Sequence, residues 1–332
     1  MSKLGNFWKT MLAGSAGVAA LAAVNAAIRR SAQEPDDSAL GGEGHYFSWK
    51  HGSVFYKESG AERSGPPLVL IHGIGPGVSS FMWRKNFDSL ARYFHVYALD
   101  LLGFGLSDKP ATVPYSADLY IELVSDFLRE VVATRAHLIA SSLTASYAVR
   151  VADEHPELVA ALILNAPAGY DTLNTRPGMA GAAFYGLLQS PVLGTSFYNV
   201  MASERSIRDY ARRTLFYDYR RVTDRLVSNL YATSHQPGAQ HAIAAFLSGY
   251  LNNDMTEPFS RLTQNVLLVW GKQDLTTPVS KASALLQLNP NARLHIFDFC
   301  RSMPEQEHPE EYNDLVREAF RTPEKHLSTT AR

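Results

Sequence analysis

A serine, an aspartate and two glycine-rich turns carry most of the chemistry this sequence offers. Ser142 lies in Ala140-Ser141-Ser142-Leu143-Thr144, between the apolar run His137–Ala140 and a helical stretch that begins near Ala145. A hydroxyl raised at such a strand-to-helix turn can attack a carbonyl carbon if a base removes its proton. The same position also suits a helix N-cap. His72-Gly73-Ile74-Gly75-Pro76-Gly77 follows the run Leu68–Ile71. Its glycines let backbone N–H groups turn into the crevice at the strand end, where they can form half of an oxyanion hole; a glycine-rich structural turn is the alternative. A second loop, with Gly103 and Gly105, follows Asp100. Asp274, in the turn after Val266–Trp270, is of a type common in turns and suited to orienting a base.

These residues need strands to hold them. From Tyr46 onward, short β-rich runs alternate with amphipathic helical stretches, the pattern of a mostly parallel α/β sheet covered on both faces. A hairpin is expected from Tyr46–Lys50 and Ser53–Lys57. Central strands follow at Leu68–Ile71, Val96–Leu99, His137–Ala140 and Leu162–Leu164, and two later ones at Val266–Trp270 and Leu294–Phe297. Ser116 is a candidate N-cap for a helix carrying Leu119, Leu123, Phe127 and Val131. Between Pro167 and about Pro258 the strand rhythm stops and aromatic, helical sequence takes over. The expected division is an N-terminal segment 1–30, a linker 31–44, a core 45–167, a helical cap 168–258, the rest of the core 259–322 and a polar tail 323–332.

The two turns and the Ser142 unit, in this order, resemble the α/β-hydrolase superfamily. The resemblance covers about Tyr46 to Phe320 and implies an eight-stranded, mostly parallel sheet with an inserted cap. It places Ser142 at the nucleophile elbow, with Thr144 where the motif normally has glycine. The family's chain order is nucleophile, acid, histidine, so Trp270-Gly271-Lys272-Gln273-Asp274 puts Asp274 at the acid position. The backbone N–H groups of Ile74 and Leu143 are then the expected oxyanion donors. The family's ending aligns without a gap on Pro304, Glu307, Pro309, Glu310 and Glu311, which leaves Ser302 where the histidine belongs. The approach to it, Asp298-Phe299-Cys300-Arg301, also departs from the usual small, glycine-rich run.

Serine cannot take and return a proton as imidazole does. In a serine protease, loss of the base costs on the order of 10⁶ in kcat, with ~10³ to 10⁴ over water surviving from the oxyanion hole and binding. Substitutes are sought among His295, in a strand, His308, opening the last helix, His326, in the polar tail, and Glu305; His72 is expected to be structural. A serine rather than an aspartate sets aside dehalogenase and epoxide-hydrolase chemistry and leaves ester, thioester, lactone or carbon–carbon hydrolysis. The first turn with Trp83 and Asn86 is similar to hydrolases that cleave ring-opened aromatic diketones. The expectation is a serine-type hydrolase of a small acyl substrate with weak activity; the alternative is a non-catalytic homologue that binds a small molecule or a partner.

With 46% hydrophobic residues the chain has ample material for a core, and its net charge of −1 offers no field for nucleic acid. The single cysteine, Cys300, excludes an internal disulfide and a Cys-based metal cage, and no metal or cofactor signature is present. Seven arginines, Arg205, Arg208, Arg212, Arg213, Arg220, Arg221 and Arg225, read as a solvated face or as an anion site of the cap. At the N-terminus, uncharged Met11–Ile28 lies between Lys9 and Arg29, and about 18 helical residues span roughly 27 Å, close to a ~30 Å hydrocarbon core. A membrane anchor is expected there, with a cleaved signal peptide leading to a secreted or periplasmic protein, or an amphipathic helix, as alternatives.

Overall fold

The computed structural model describes residues 2–31 and 33–321. Eight strands form one sheet in the order β1-β2-β4-β3-β5-β6-β7-β8, where β1 is Glu43–Trp49, β2 Gly52–Ser59, β3 Pro67–Ile71, β4 His95–Leu99, β5 Ala136–Ser141, β6 Val159–Asn165, β7 Asn265–Gly271 and β8 Ala292–Phe297. The hairpin closes at Trp49 opposite Gly52, and β2 runs antiparallel to both β1 and β4. Every pairing from β4 to β8 is parallel. The class is therefore α/β, with the α/β-hydrolase sheet. Leu68, Val69 and Leu70 of β3 and Leu138, Ile139 and Ala140 of β5 are wholly buried, which explains why these strands read as continuous apolar runs.

Helices cover both faces. Ser116 accepts the Leu119 N–H at 3.2 Å and starts the helix Ala117–Phe127, whose Leu119, Leu123 and Phe127 pack into the core with Tyr120 and Tyr147. The helix Leu143–Glu154 leaves the tip of β5. On the other face, Trp83, Phe87, Phe94, Tyr312 and Phe320 form a second cluster under the C-terminal helix Pro309–Ala319. Between β6 and β7 the described chain is helical, from Met179–Leu188 to Thr256–Arg261.

The N-terminal helix, Ser2–Ser31, requires a correction. Among the described residues no helix is long and apolar enough to cross a membrane, which overturns the expected membrane placement. The helix runs unbroken through Ala26 and Ala27, where cleavage was the alternative. Its Asn25 is buried against the cap: the amide donates to the Val192 carbonyl at 3.1 Å and the Ser196 hydroxyl at 3.0 Å and accepts from Asn199 at 3.0 Å. An alanine-rich stretch gains little from lipid, and an asparagine within it would be costly there. Here protein partners satisfy that amide. His326 and the tail 323–332 lie outside the described residues.

Candidate active site

Ser142 follows β5 in a backbone conformation of φ 58° and ψ −126°, a strained region for a residue with a β-carbon. Its neighbours hold it there. The Ser142 N–H donates to the Asn165 carbonyl at 2.8 Å, and its own carbonyl accepts the N–H groups of Ala145 and Ala168, at 3.2 Å each. Thr144 fits because its hydroxyl, buried with the rest of the side chain, donates to the Ser141 carbonyl at 2.9 Å. The Ser142 side chain is exposed and its hydroxyl has no hydrogen bond to any described residue.

The first glycine turn lies against this elbow: a Cβ on Gly73 would stand 3.4 Å from the Ser141 carbonyl oxygen and 3.8 Å from the Ser142 Cβ. Leu143 opens a helix, so its N–H is free of intrahelical bonds. The Ile74 N–H likewise has no acceptor among the described residues. His72 is structural. Its ring is buried, Nδ1 donates to the Gly73 carbonyl at 2.7 Å and Nε2 accepts the Leu101 N–H at 3.1 Å, so it ties the two glycine loops together. Burial holds its pKa below the usual imidazole range. Asp100 accepts the Ser80 N–H at 2.6 Å and the Leu106 N–H at 2.8 Å. Gly105 must be glycine there, with φ 50° and the position of a Cβ only 1.8 Å from the Asp100 carboxylate.

Asp274 and Ser302 meet. The Ser302 hydroxyl donates to Asp274 Oδ1 at 2.8 Å, although the two residues come from different turns. Oδ1 also accepts the Thr276 N–H and hydroxyl, both at 2.8 Å, and the Thr277 N–H at 3.1 Å. Thr276 and Ser302 hydroxyls are 3.0 Å apart. Asp274 is buried, and its second oxygen, Oδ2, has no partner.

Among the described residues, none of the candidate bases hydrogen-bonds to this group. His295 stacks edge-on against Phe297, at 4.6 Å between centroids, with Nε2 buried and unpartnered. His308 stacks on the same ring and lies 3.8 Å from Glu311. Glu305 is buried in the short helix Pro304–Glu307, where desolvation first, and Glu307 also, push its carboxyl up to about 8 against Arg84 and Lys85. It has no hydrogen bond to Ser142 or Ser302.

Three features escaped the sequence reading. Thr276 completes the setting of Asp274, and its place two residues on in the turn is the signal that could have found it. Asn165, at the end of β6, holds Ser142 with its backbone, while its amide touches the Tyr312 hydroxyl at 2.9 Å and the Ser141 hydroxyl at 3.3 Å. The loop before Ser302 is bound to the cap. Arg301 donates to the carbonyls of Arg213 at 2.6 Å and Phe216 at 3.1 Å, the Ser302 N–H to that of Leu215 at 3.1 Å, and Glu307 accepts the Tyr217 and Asp218 N–H groups at 2.8 and 3.0 Å. Of the seven cap arginines, Arg208, Arg220, Arg221 and Arg225 pair with Asp224, Asp218 or Asp36.

Residues 66–307 match the model of the alpha/beta hydrolase fold family, and the chain belongs to that family. Among its relatives, a 2-hydroxymuconate semialdehyde hydrolase of Pseudomonas sp. (strain CF600) is 28% identical over 78% of this chain and 87% of its own length. The enzyme of the same description from Pseudomonas putida is 30% identical over 76% of this chain and 86% of its own length. Among solved structures, the meta-cleavage product hydrolase of Pseudomonas fluorescens IP01 superposes with a TM-score of 0.69 at 25% identity, covering 86% of this chain and 98% of its own. These likenesses support a hydrolase role and a small-molecule substrate; they give no support to the non-catalytic alternative.

Proposed function

We propose that the chain is a serine-type hydrolase of a small acyl or diketone-like substrate, with Ser142 as nucleophile, Asp274 as the acid and the Ile74 and Leu143 N–H groups as the oxyanion hole. The observation that carries this reading is the exposed Ser142 on a strained elbow at the end of a central strand; the buried Asp274, hydrogen-bonded by Ser302, is the acid this reading assigns to it. The relatives named are hydrolases of 2-hydroxymuconate semialdehyde and of a meta-cleavage product, which supports a substrate of that class or an ester of similar size. In this arrangement the substrate carbonyl takes the oxyanion donors while Ser142 attacks it. Without imidazole the hydroxyl is almost never ionised, so the rate is limited by deprotonation, and turnover is expected to be orders of magnitude below that of a complete triad.

A fluorophosphonate probe tests both halves. Slow labelling, located at Ser142 by mass spectrometry and lost in Ser142→Ala, is the expected result. Rapid labelling at Ser142 would refute the impaired base, and complete inertness together with absence of ester hydrolysis would refute the enzyme.

A further inference from the structure

The strained backbone of Ser142 is gripped by the segment at the tip of β6. The Asn165 carbonyl accepts its N–H at 2.8 Å, and the Ala168 N–H donates to its carbonyl at 3.2 Å. Between those two contacts Ala166 lies at φ 40°, so the grip itself contains a left-handed residue with a β-carbon. Such conformations persist only where the surroundings over-determine them. Here the Asn165 side chain does so. It is buried, and its amide donates to the Tyr312 hydroxyl at 2.9 Å while that hydroxyl donates back to Oδ1 at 3.1 Å. The same amide reaches the hydroxyl of Ser141, the residue before the nucleophile, at 3.3 Å. Tyr312 is wholly buried in the C-terminal helix, its ring 6.3 Å from that of Phe297 in β8. Among the described residues its hydroxyl bonds to Asn165 alone.

Resting on the reading of Ser142 as nucleophile, we infer that Tyr312 is a positioning residue of the reaction, acting through Asn165. Ser142 Oγ and the Leu143 N–H are carried on adjoining backbone units. A small rotation at position 142 therefore moves the attacking oxygen and one oxyanion donor relative to the same substrate carbonyl. A misplacement of about 1 Å at a reacting group costs on the order of 10²-fold in rate. The Tyr312–Asn165 pair opposes that rotation from behind the sheet end, without touching the substrate. Its loss slows bond formation at Ser142 and leaves binding as it was.

The experiment measures two quantities on the full chain: the kinetics of fluorophosphonate labelling at Ser142, and amide hydrogen exchange at Ser142 relative to Val69 and Leu70 of β3. Tyr312→Phe keeps the ring and removes the hydroxyl. The expected result is a fall of about 10-fold in the limiting labelling rate at an unchanged half-saturating concentration, with exchange at Ser142 accelerated more than in β3. Tyr120→Phe removes an equally buried hydroxyl, the one that donates to the Leu102 carbonyl at 3.0 Å, and is expected to leave the labelling rate as it is. In an Asn165→Ala background, Tyr312→Phe should add no further loss, because the hydroxyl acts only through that side chain. An unchanged rate, an unchanged exchange ratio, an equal fall in Tyr120→Phe, or a full additional loss in the Asn165→Ala background overturns the inference. If wild-type Ser142 takes no label and hydrolyses no ester, the proposed function fails, and the exchange ratio alone then decides whether Tyr312 holds the elbow.

Discussion

Ser302→His is the perturbation that asks most of this site. Loss of a triad member costs on the order of 10⁶ in rate, about 8 kcal/mol of barrier. Full recovery is not expected. The loop is pinned by the Ser302 N–H on Leu215 and by Arg301 on Arg213 and Phe216, and it brings the short serine oxygen to 2.8 Å from Asp274. An imidazole Nδ1 lies one bond further from the backbone than that oxygen, so the ring must tilt or the carboxylate turn. The unpartnered Oδ2 gives it a second acceptor for doing so. A hydrogen bond to the charged group contributes about 1.5–3 kcal/mol, enough to offset a moderate tilt. The expected gain is therefore that of a positioned but unrefined base, about 10²- to 10⁴-fold in kcat/KM, or about 3 to 5 kcal/mol. The assay is short-chain 4-nitrophenyl ester hydrolysis across pH, where the variant should show a new rise near the imidazole pKa of about 6.5, absent in wild type. A well-folded variant without gain, or a gain that survives Ser142→Ala, would refute the assignment of position 302.

Other parts of the molecule give independent tests. Glu305 has a folded pKa of about 8 against an ordinary value of 4.5, so the folded state binds more protons between these pH values and stability falls as pH rises through that window. The gap is worth on the order of 5 kcal/mol, and Glu305→Gln should flatten the pH dependence of the urea midpoint between about pH 4.5 and 8, raising stability at the upper end. Glu307→Gln weakens three bonds from backbone N–H groups, those of Tyr217, Asp218 and Arg301. It should cost about 2–4 kcal/mol and accelerate amide exchange at Tyr217 and Asp218 more than in β5; unchanged exchange there would exclude Glu307 as the tie. Asn25→Ala should cost about 1–3 kcal/mol and expose the N-terminal helix to protease, whereas wild-type resistance would show that the buried amide does not hold it.

The legible parts of this protein are those in which cause and effect lie close in sequence. Leu68–Ile71 and His137–Ala140 announce central strands because neither face meets water, and the elbow, the acid turn and the Pro304–Glu311 register are each read within a dozen residues. Apart from Thr276, what was missed joins distant segments: Asn165 and Tyr312 are 147 positions apart, and Arg301 meets Phe216 across 85. No periodicity records such a meeting. The N-terminal helix was misread for a related reason. An uncharged alanine-rich stretch has the same composition whether it faces lipid or a neighbouring helix, and only the partners of Asn25 distinguish the two.

The tie between the Ser302 loop and the cap has a consequence for how this molecule can change. On the cap side every hydrogen-bonding atom is main-chain, the carbonyls of Arg213, Leu215 and Phe216 and the amides of Tyr217 and Asp218, while the Tyr217 ring also packs on Phe299 with 5.7 Å between centroids. None of these hydrogen bonds depends on the identity of the side chain at its cap position. Mutation can change these cap side chains while the hydrogen-bonded mooring stays in place, and proline at 217 or 218, which removes an amide, is the substitution this freedom does not extend to.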